Sequence, residues 1–145
     1  MQRVQRWLAA AMLVAWCGMW GTAAAESDPT DHARKCKAEL RELVKKCVGR
    51  NNEIARKCIP RLKRLIKEGN KEAARALAER CVKAINQNTD RCLEAIHRLC
   101  RRCVKHLKEE GHHEAARHFV RLCHAAIRTV NHSRELAIHA IKRLL

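Results

Sequence analysis

The stretch Lys67–Ile85, KEGNKEAARALAERCVKAI, contains the pattern that the rest of the chain repeats. A second copy, EEGHHEAARHFVRLCHAAI, occupies Glu109–Ile127. Each copy has a glycine followed by apolar residues at helical spacing, among them Cys81 or Cys123. Because a helix commonly ends on a left-handed glycine, each copy predicts a turn followed by an amphipathic helix.

Similar signals divide the remainder of the chain. Gly49 also follows an apolar-periodic run, and Asn51-Asn52, residues 86–89 and residues 131–133 offer capping side chains. These signals predict six helices, at about 31–48, 53–68, 71–86, 90–110, 113–130 and 133–144. Pro60 is expected to kink or delay the second of them. Short turns make such helices antiparallel, so the predicted fold is all-α, a helical-hairpin array or a compact bundle stapled by disulfides.

The first 25 residues have the features of a secretory signal peptide. Arg3 and Arg6 precede an apolar segment that is short for a membrane span, and an A-x-A cleavage site follows it. Cleavage after Ala25 would leave residues 26–145 as one helical domain. A lipoprotein signal cut before Cys17 is disfavoured, because the bulky Trp16 stands where that processing needs a small residue.

The chain has 31 Lys and Arg against 15 Asp and Glu, a formal net charge of +16. Only two of the basic residues lie in the predicted signal peptide, whereas all three tryptophans do. With no tyrosine in the chain, Phe119 is the only aromatic of the Phe, Trp and Tyr class left after cleavage. The core must therefore be built from aliphatic residues and cysteine, which favours helices.

The cysteines predict a disulfide framework, since an even number follows the signal peptide and export favours oxidation. They are Cys36, Cys47, Cys58, Cys81, Cys92, Cys100, Cys103 and Cys123. In antiparallel hairpins, residues equidistant from a turn face one another, which favours the bridges Cys47–Cys58 and Cys81–Cys92. Cys100 or Cys103 with Cys123 comes next, and Cys36 takes the remaining partner. Cys58–Cys81 is also symmetric, about Gly69, so the connectivity stays open.

The repeated stretch resembles the tetratricopeptide repeat around its central turn. Gly69 matches the turn glycine, Ala74 and Ala78 the small packing positions, and Cys81 an alanine of the second helix. The second copy matches at Gly111, Ala116, Val120 and Cys123. Sel1-like repeats are related, and some are exported and disulfide-bridged. The resemblance implies a scaffold that binds peptides or proteins without catalysis.

Catalytic motifs are lacking, so we expect neither an enzyme nor a cofactor. No nucleophile elbow, phosphate-binding glycine loop or zinc-protease helix occurs in the sequence. Outside the predicted signal peptide the only serines are Ser27 and Ser133.

The segment HRLCRRCVKH supplies an alternative function, metal binding. His97, Cys100, Cys103 and His106 are ligand types suited to Zn²⁺ or Cu⁺, at steps of three residues. Such steps place the two histidines on opposite sides of a helix, and no second C-x-x-C completes the set. The interpretation of both cysteines as disulfide-bonded is therefore preferred.

The positive charge is the remaining functional signal: it either only confers solubility or attracts an anionic protein, peptide or envelope component. It is densest in two runs, which comprise Arg56, Lys57, Arg61, Lys63, Arg64 and Lys67, then Arg98, Arg101, Arg102, Lys105 and Lys108. Export and the lack of aromatic stacking residues disfavour nucleic acid. A cationic membrane-active protein is the second alternative, with a membrane surface as its partner.

Overall fold

The computed structural model describes residues 31–145, which form three long helices packed against one another. They are α1 (Asp31–Lys67), α2 (Lys71–Glu109) and α3 (His113–Lys142). The expectation of an all-α fold is confirmed for this part of the chain, whereas the expectation of six helices is not, because each predicted pair is one uninterrupted helix. The predicted signal peptide lies outside the described residues and stays a prediction.

The two turns between helices have the same geometry. Gly69 and Gly111 adopt left-handed φ angles of 77° and 82°. At each, the glycine N–H donates to the carbonyl three residues back, at 3.0 Å in both turns, and the next N–H donates to the carbonyl five residues back. This is the Schellman arrangement, which satisfies the last carbonyls of a helix. The repeated sequence therefore marks both reversals of the chain.

Helices α1 and α2 are long because their inward stripes follow an unbroken spacing of three, four and four, which returns every eleven residues, whereas the buried residues of α3 from Ala116 to Ala137 alternate steps of three and four. Eleven residues make three turns of an α-helix, so this spacing keeps one stripe facing a partner over the whole length. In α1 the stripe comprises Ala33, Cys36, Leu40, Val44, Cys47, Asn51, Ala55, Cys58 and Leu62. The same spacing runs from Ala74 to Leu107 in α2, where the half-buried Cys81 and Cys100 complete the stripe.

A buried polar layer explains why the predicted breaks at residues 51–52, 86–89 and 131–133 are wrong. Asn51, Thr89 and Ser133 come from three different helices and are fully or almost fully buried. The Asn51 amide donates to the Thr89 hydroxyl at 3.2 Å and to the Ser133 hydroxyl at 3.1 Å. Asn88 donates to the Asn51 side-chain oxygen at 2.9 Å. These side chains, expected to cap helices, instead satisfy one another inside the bundle.

Gly49 and Pro60 do not end or divide α1. Gly49 lies on the exposed side of the helix and, unlike the two turn glycines, has no positive φ. Pro60 lies within the same helix, where it removes one backbone hydrogen bond. The packing of the continuous stripe outweighs these local preferences, each of which costs only a few kcal/mol at most.

Four disulfides include all eight cysteines of the described residues, and their pairing differs from the preferred prediction. Cys47 bonds Cys92 and Cys58 bonds Cys81, so the expected bridges Cys47–Cys58 and Cys81–Cys92 do not form. Cys47 and Cys58 share one continuous helix, about 16 Å apart, which is too far for a bridge. Cys100–Cys123 is one of the two pairings expected next, and Cys36 bonds Cys103.

The bridges fix the register of α1 against α2. Cys36, Cys47 and Cys58 pair in reverse order with Cys103, Cys92 and Cys81, with Cα–Cα distances of 5.9–6.5 Å. A single bridge, Cys100–Cys123, joins α3 to α2. The loops closed by the bridges span 23 to 67 residues, so chain entropy gives each bridge about 3–4 kcal/mol of stabilisation.

The apolar core has two clusters, one on either side of the polar layer. The larger one surrounds Phe119 and includes Leu40, Ile96 and Leu107. The smaller lies toward the Gly69 turn, around Leu62, Ile85 and Ile141. All three helices contribute to both clusters, so the alternative of a compact bundle describes this fold, and its charged residues are left on the outside.

Candidate anion-binding surface

A basic groove runs beside the Cys58–Cys81 bridge, between α1 and α2. It encloses about 320 Å³. Its floor consists of Ile54, Leu77, Ala84 and the two cysteines, and its walls carry Arg50, Lys57, Arg61 and Arg80. No carboxylate is among the residues that line it. The groove therefore combines a narrow apolar floor with walls of one charge.

One carboxylate at the edge of the groove shows the effect of these cations. Glu53 forms ion pairs with Lys57 at 2.9 Å and with Arg50 at 3.2 Å. Hydrogen bonds from Lys57 and Arg50, with their positive charge, lower the pKa of Glu53 below its ordinary value. A carboxylate beside this wall is thus stabilised in its ionised form, as a carboxylate of a partner would be.

The row of cations that includes Lys57 and Arg80 extends along both helices, because the sequence repeats with the bridges. Lys57 directly precedes Cys58, and Arg80 directly precedes Cys81. Three helical turns away, Lys46 and Arg91 occupy the equivalent positions beside Cys47–Cys92, and Lys35 and Arg102 do so beside Cys36–Cys103. Residues eleven apart lie on the same side of a helix. Arg102 reaches across to Glu39 of α1 at 2.7 Å, so this member of the row faces the other helix.

We call these six residues the basic ladder: Lys35, Lys46, Lys57, Arg80, Arg91 and Arg102. The two cations beside one bridge form a rung, and the rungs are numbered first at Cys36–Cys103, second at Cys47–Cys92 and third at Cys58–Cys81. The outer rungs are separated by 22 residues of helix, about 33 Å. All six side chains are exposed. Arg50 and Arg61 add two further cations to the same wall of α1, where they line the groove at its Cys58–Cys81 rung.

The two basic runs predicted from the sequence are not brought together. Residues 56–67 lie near the Gly69 turn, whereas residues 98–108 lie at the opposite end of the α1–α2 pair, because the helices are antiparallel. Of the eleven predicted residues, only Lys57, Arg61 and Arg102 are on the groove side. Lys63 is half-buried, and helical spacing distributes the others around the outer faces of their helices, namely Arg56, Arg64, Lys67, Arg98, Arg101, Lys105 and Lys108.

Sequence reasoning missed Lys35, Lys46, Arg80 and Arg91, although a signal for them exists. Each of the six cysteines that join α1 to α2 is directly preceded by Lys or Arg, whereas Cys100 and Cys123 are preceded by leucine. A search for segments dense in basic residues does not detect this dipeptide, because its copies are eleven residues apart. Periodicity, rather than local density, identifies the wall of a groove between long helices.

The two cysteines of the metal-binding alternative are disulfide-bonded in this structure. Cys100 is bonded to Cys123 and Cys103 to Cys36, so neither sulfur can ligate a metal without reduction. The ring of His106 packs edge-on against His32, with 5.3 Å between centroids, and His97 is exposed. Nowhere in residues 31–145 do three or more His, Cys, Asp or Glu side chains assemble in a way that could hold a metal ion.

A second groove has mixed charge. It lies between α2 and the C-terminal end of the chain, encloses about 640 Å³ and is lined by Arg75, Lys83 and Lys142 together with Glu79 and Asp90. Because the opposite charges alternate there, this groove offers less attraction for a polyanion than the ladder does.

The apolar stripes that could enter a membrane are used within the bundle. Leu40, Leu62, Ile96 and Ile141 are fully buried. Over the range 31–145, the helices contain no segment that combines the length and hydropathy of a membrane span.

No family model matches the chain, and comparison with curated proteins and with solved structures finds no match either.

Proposed function

We propose that this protein is an exported, non-catalytic cationic scaffold that binds an anionic protein, peptide or envelope component in a secreted or periplasmic setting. The observation that carries the proposal is the basic ladder, three pairs of cations placed at regular intervals by three interhelical disulfides. Evenly spaced positive charges along one groove attract an extended anion more strongly than the same charges scattered over the surface do.

The disulfides support the proposed compartment. Four bridges in a chain of this size are typical of proteins that fold in an oxidising environment. The proposal also fits the first 25 residues as a signal peptide. The resemblance to tetratricopeptide repeats, which likewise implies a binding scaffold, stays a prediction, and the proposal does not depend on it.

A salt titration with a simple polyanion tests the proposal. We expect the oxidised protein to bind fluorescein-labelled poly-L-glutamate, and the affinity to fall by about tenfold or more between low and physiological salt, because paired charges near the surface are screened. Binding would be measured by fluorescence anisotropy. Absence of binding at low salt, or an affinity that does not change with salt, would refute a cationic binding function.

Two further measurements separate the alternatives. Vesicles rich in anionic phosphatidylglycerol, loaded with a self-quenched dye, should release none of it if the apolar stripes remain in the core. A metal-binding protein would instead retain Zn²⁺ or Cu⁺ in a fixed ratio after gel filtration, with reactive thiols at Cys100 and Cys103.

A further inference from the structure

We infer that the α1–α2 groove is a docking site for an acidic amphipathic α-helix that lies along the basic ladder. The inference rests on the proposed function and deepens it, by naming the site and the chemistry of the partner. It depends on three properties of the groove: the period of its cations, the nature of its floor and the state of its central rung.

The period of the cations favours a helical partner. Successive rungs are eleven residues apart, about 16 Å. A partner helix that lies along the groove has the same rise, so carboxylates at every eleventh residue would meet all three rungs from one face. An extended peptide covers that distance in about five residues, and successive side chains of a strand alternate between faces. Its acidic residues at adjacent rungs would therefore point to opposite sides.

The floor of the groove favours a protein over a nucleic acid or a glycan. Ile54, Leu77 and Ala84 line it at the Cys58–Cys81 rung, and eleven-residue steps place Ala95 at the equivalent position of the Cys47–Cys92 rung and His106 at that of the Cys36–Cys103 rung. Small apolar residues allow the close approach of a third helix, which is the usual geometry of an amphipathic helix in a groove. No aromatic stacking platform is available within residues 31–145, since Phe119 is buried in the core.

The central rung differs from the outer two because neither of its cations is in an ion pair, whereas each outer rung has one paired cation beside an unpaired one, Lys35 or Arg80, within residues 31–145. Arg102 of the first rung is occupied by Glu39, and Lys57 of the third by Glu53. Lys46 and Arg91 of the second rung form no ion pair with any residue of the range 31–145, although both are exposed. The two occupied rungs show that each wall holds a carboxylate at hydrogen-bonding distance. A carboxylate from a partner is thus expected first at Lys46 and Arg91.

The test uses two synthetic peptides of identical composition, both labelled with fluorescein. One peptide has an eleven-residue sequence repeat, which is three helical turns and matches the spacing of the rungs. This repeat places Glu along one edge of the helix and Ala and Leu along the adjacent face. The other scrambles the order, so that the charge is spread around the helix. Anisotropy at low salt should show the amphipathic peptide binding about tenfold or more tightly than its scrambled isomer, because only one of them satisfies the walls and the floor together.

A matched pair of charge reversals locates the site. The double variant Lys46→Glu with Arg91→Glu should lower the affinity for the amphipathic peptide by about tenfold or more, because attraction is lost and repulsion is introduced at the second rung. The control is Lys45→Glu with Arg101→Glu, which changes the net charge equally. Each control residue is exposed and directly precedes a ladder residue, so it is turned about 100° away from the wall. We expect the control to weaken binding by less than about threefold, the effect of long-range charge alone.

Each other outcome has a definite meaning. Three outcomes would refute the groove as the binding site while leaving a cationic scaffold in place. They are an equal loss of affinity in both double variants, equal affinity for both peptides, and equal competition by a single-stranded oligonucleotide of the same charge. Failure of the wild-type protein to bind either peptide or polyglutamate at low salt would overturn the proposed function as well. Amide chemical-shift changes on the wild-type protein give a test without mutation, because they should fall on α1 and α2 along the groove and spare the outer face of α3.

Discussion

Replacement of Asn51 by alanine should destabilise the bundle more than alanine replacement of any other residue in its polar layer. The Asn51 amide donates two hydrogen bonds and accepts one, at 2.9–3.2 Å, and no part of the residue is exposed to solvent. Alanine removes all three bonds and leaves a small cavity where all three helices meet. Water cannot easily replace the lost partners, because Thr89 and Ser133 are buried as well.

The expected loss is about 3–4 kcal/mol of unfolding free energy. Each buried hydrogen bond contributes about 1 kcal/mol net, and the cavity adds a further term. Asn88 provides the matched comparison, because it is half-buried and its two bonds, to the Asn51 side chain and the Cys47 carbonyl, can be partly replaced by water. Asn88→Ala should therefore cost only about 1 kcal/mol.

Guanidinium unfolding of the oxidised proteins, followed by far-UV circular dichroism, measures both losses. Dichroism is needed because residues 31–145 contain neither Trp nor Tyr. Hydrogen exchange supplies a second readout. Beyond the Cys100–Cys123 bridge, α3 is held without further disulfides, and Ser133 joins that part to α1 through Asn51. Exchange in residues 134–142 should therefore accelerate more in Asn51→Ala than exchange in α1 or α2 does.

A triple replacement tests whether the cost comes from polar groups left without partners. Asn51→Leu, Thr89→Val and Ser133→Ala together remove the three buried polar side chains at once, and the half-buried Asn88 keeps its bond to the Cys47 carbonyl, so most of the lost stability should return. A loss below about 1 kcal/mol in Asn51→Ala, or a loss equal to that of Asn88→Ala, would show that the layer is not a satisfied buried network.

Three further predictions concern local features. Gly69→Ala should destabilise by about 1 kcal/mol because φ there is 77°, whereas Gly49→Ala should stabilise by a similar amount, since that glycine lies in an exposed helix interior with no atom near its added carbon. NMR titration should find the pKa of Glu53 below 4.5 and rising toward that value in Lys57→Ala. Since the folded-state pKa is the lower one, Glu53→Gln should reduce stability at neutral pH, and the difference should disappear as the pH falls through that pKa. Non-reducing peptide mapping should recover Cys47 linked to Cys92, and a Cys47–Cys58 peptide would contradict the antiparallel register of α1 against α2.

The contrast between Gly49 and Gly69 shows what limits prediction from local signals. Both glycines follow an apolar-periodic run, yet only Gly69 reverses the chain. Asn51 likewise has the side chain of a helix cap, but its partners are 38 and 82 residues away in sequence. Whether an asparagine ends a helix or satisfies a buried layer depends on the groups that face it in the folded state. That information is absent from any short window of the chain.

The amino-acid sequence by itself determined the helical class, the two reversals at Gly69 and Gly111, the presence of a disulfide framework and the excess of positive charge. Each of these follows from composition or from local backbone chemistry. Only the tertiary structure decided that three long helices replace six short ones, which cysteines pair, and which cations share a groove. The reason is that the register between α1 and α2 is set by packing along the full length of both helices, and this register alone converts the eleven-residue repeat of Lys-Cys and Arg-Cys into a ladder.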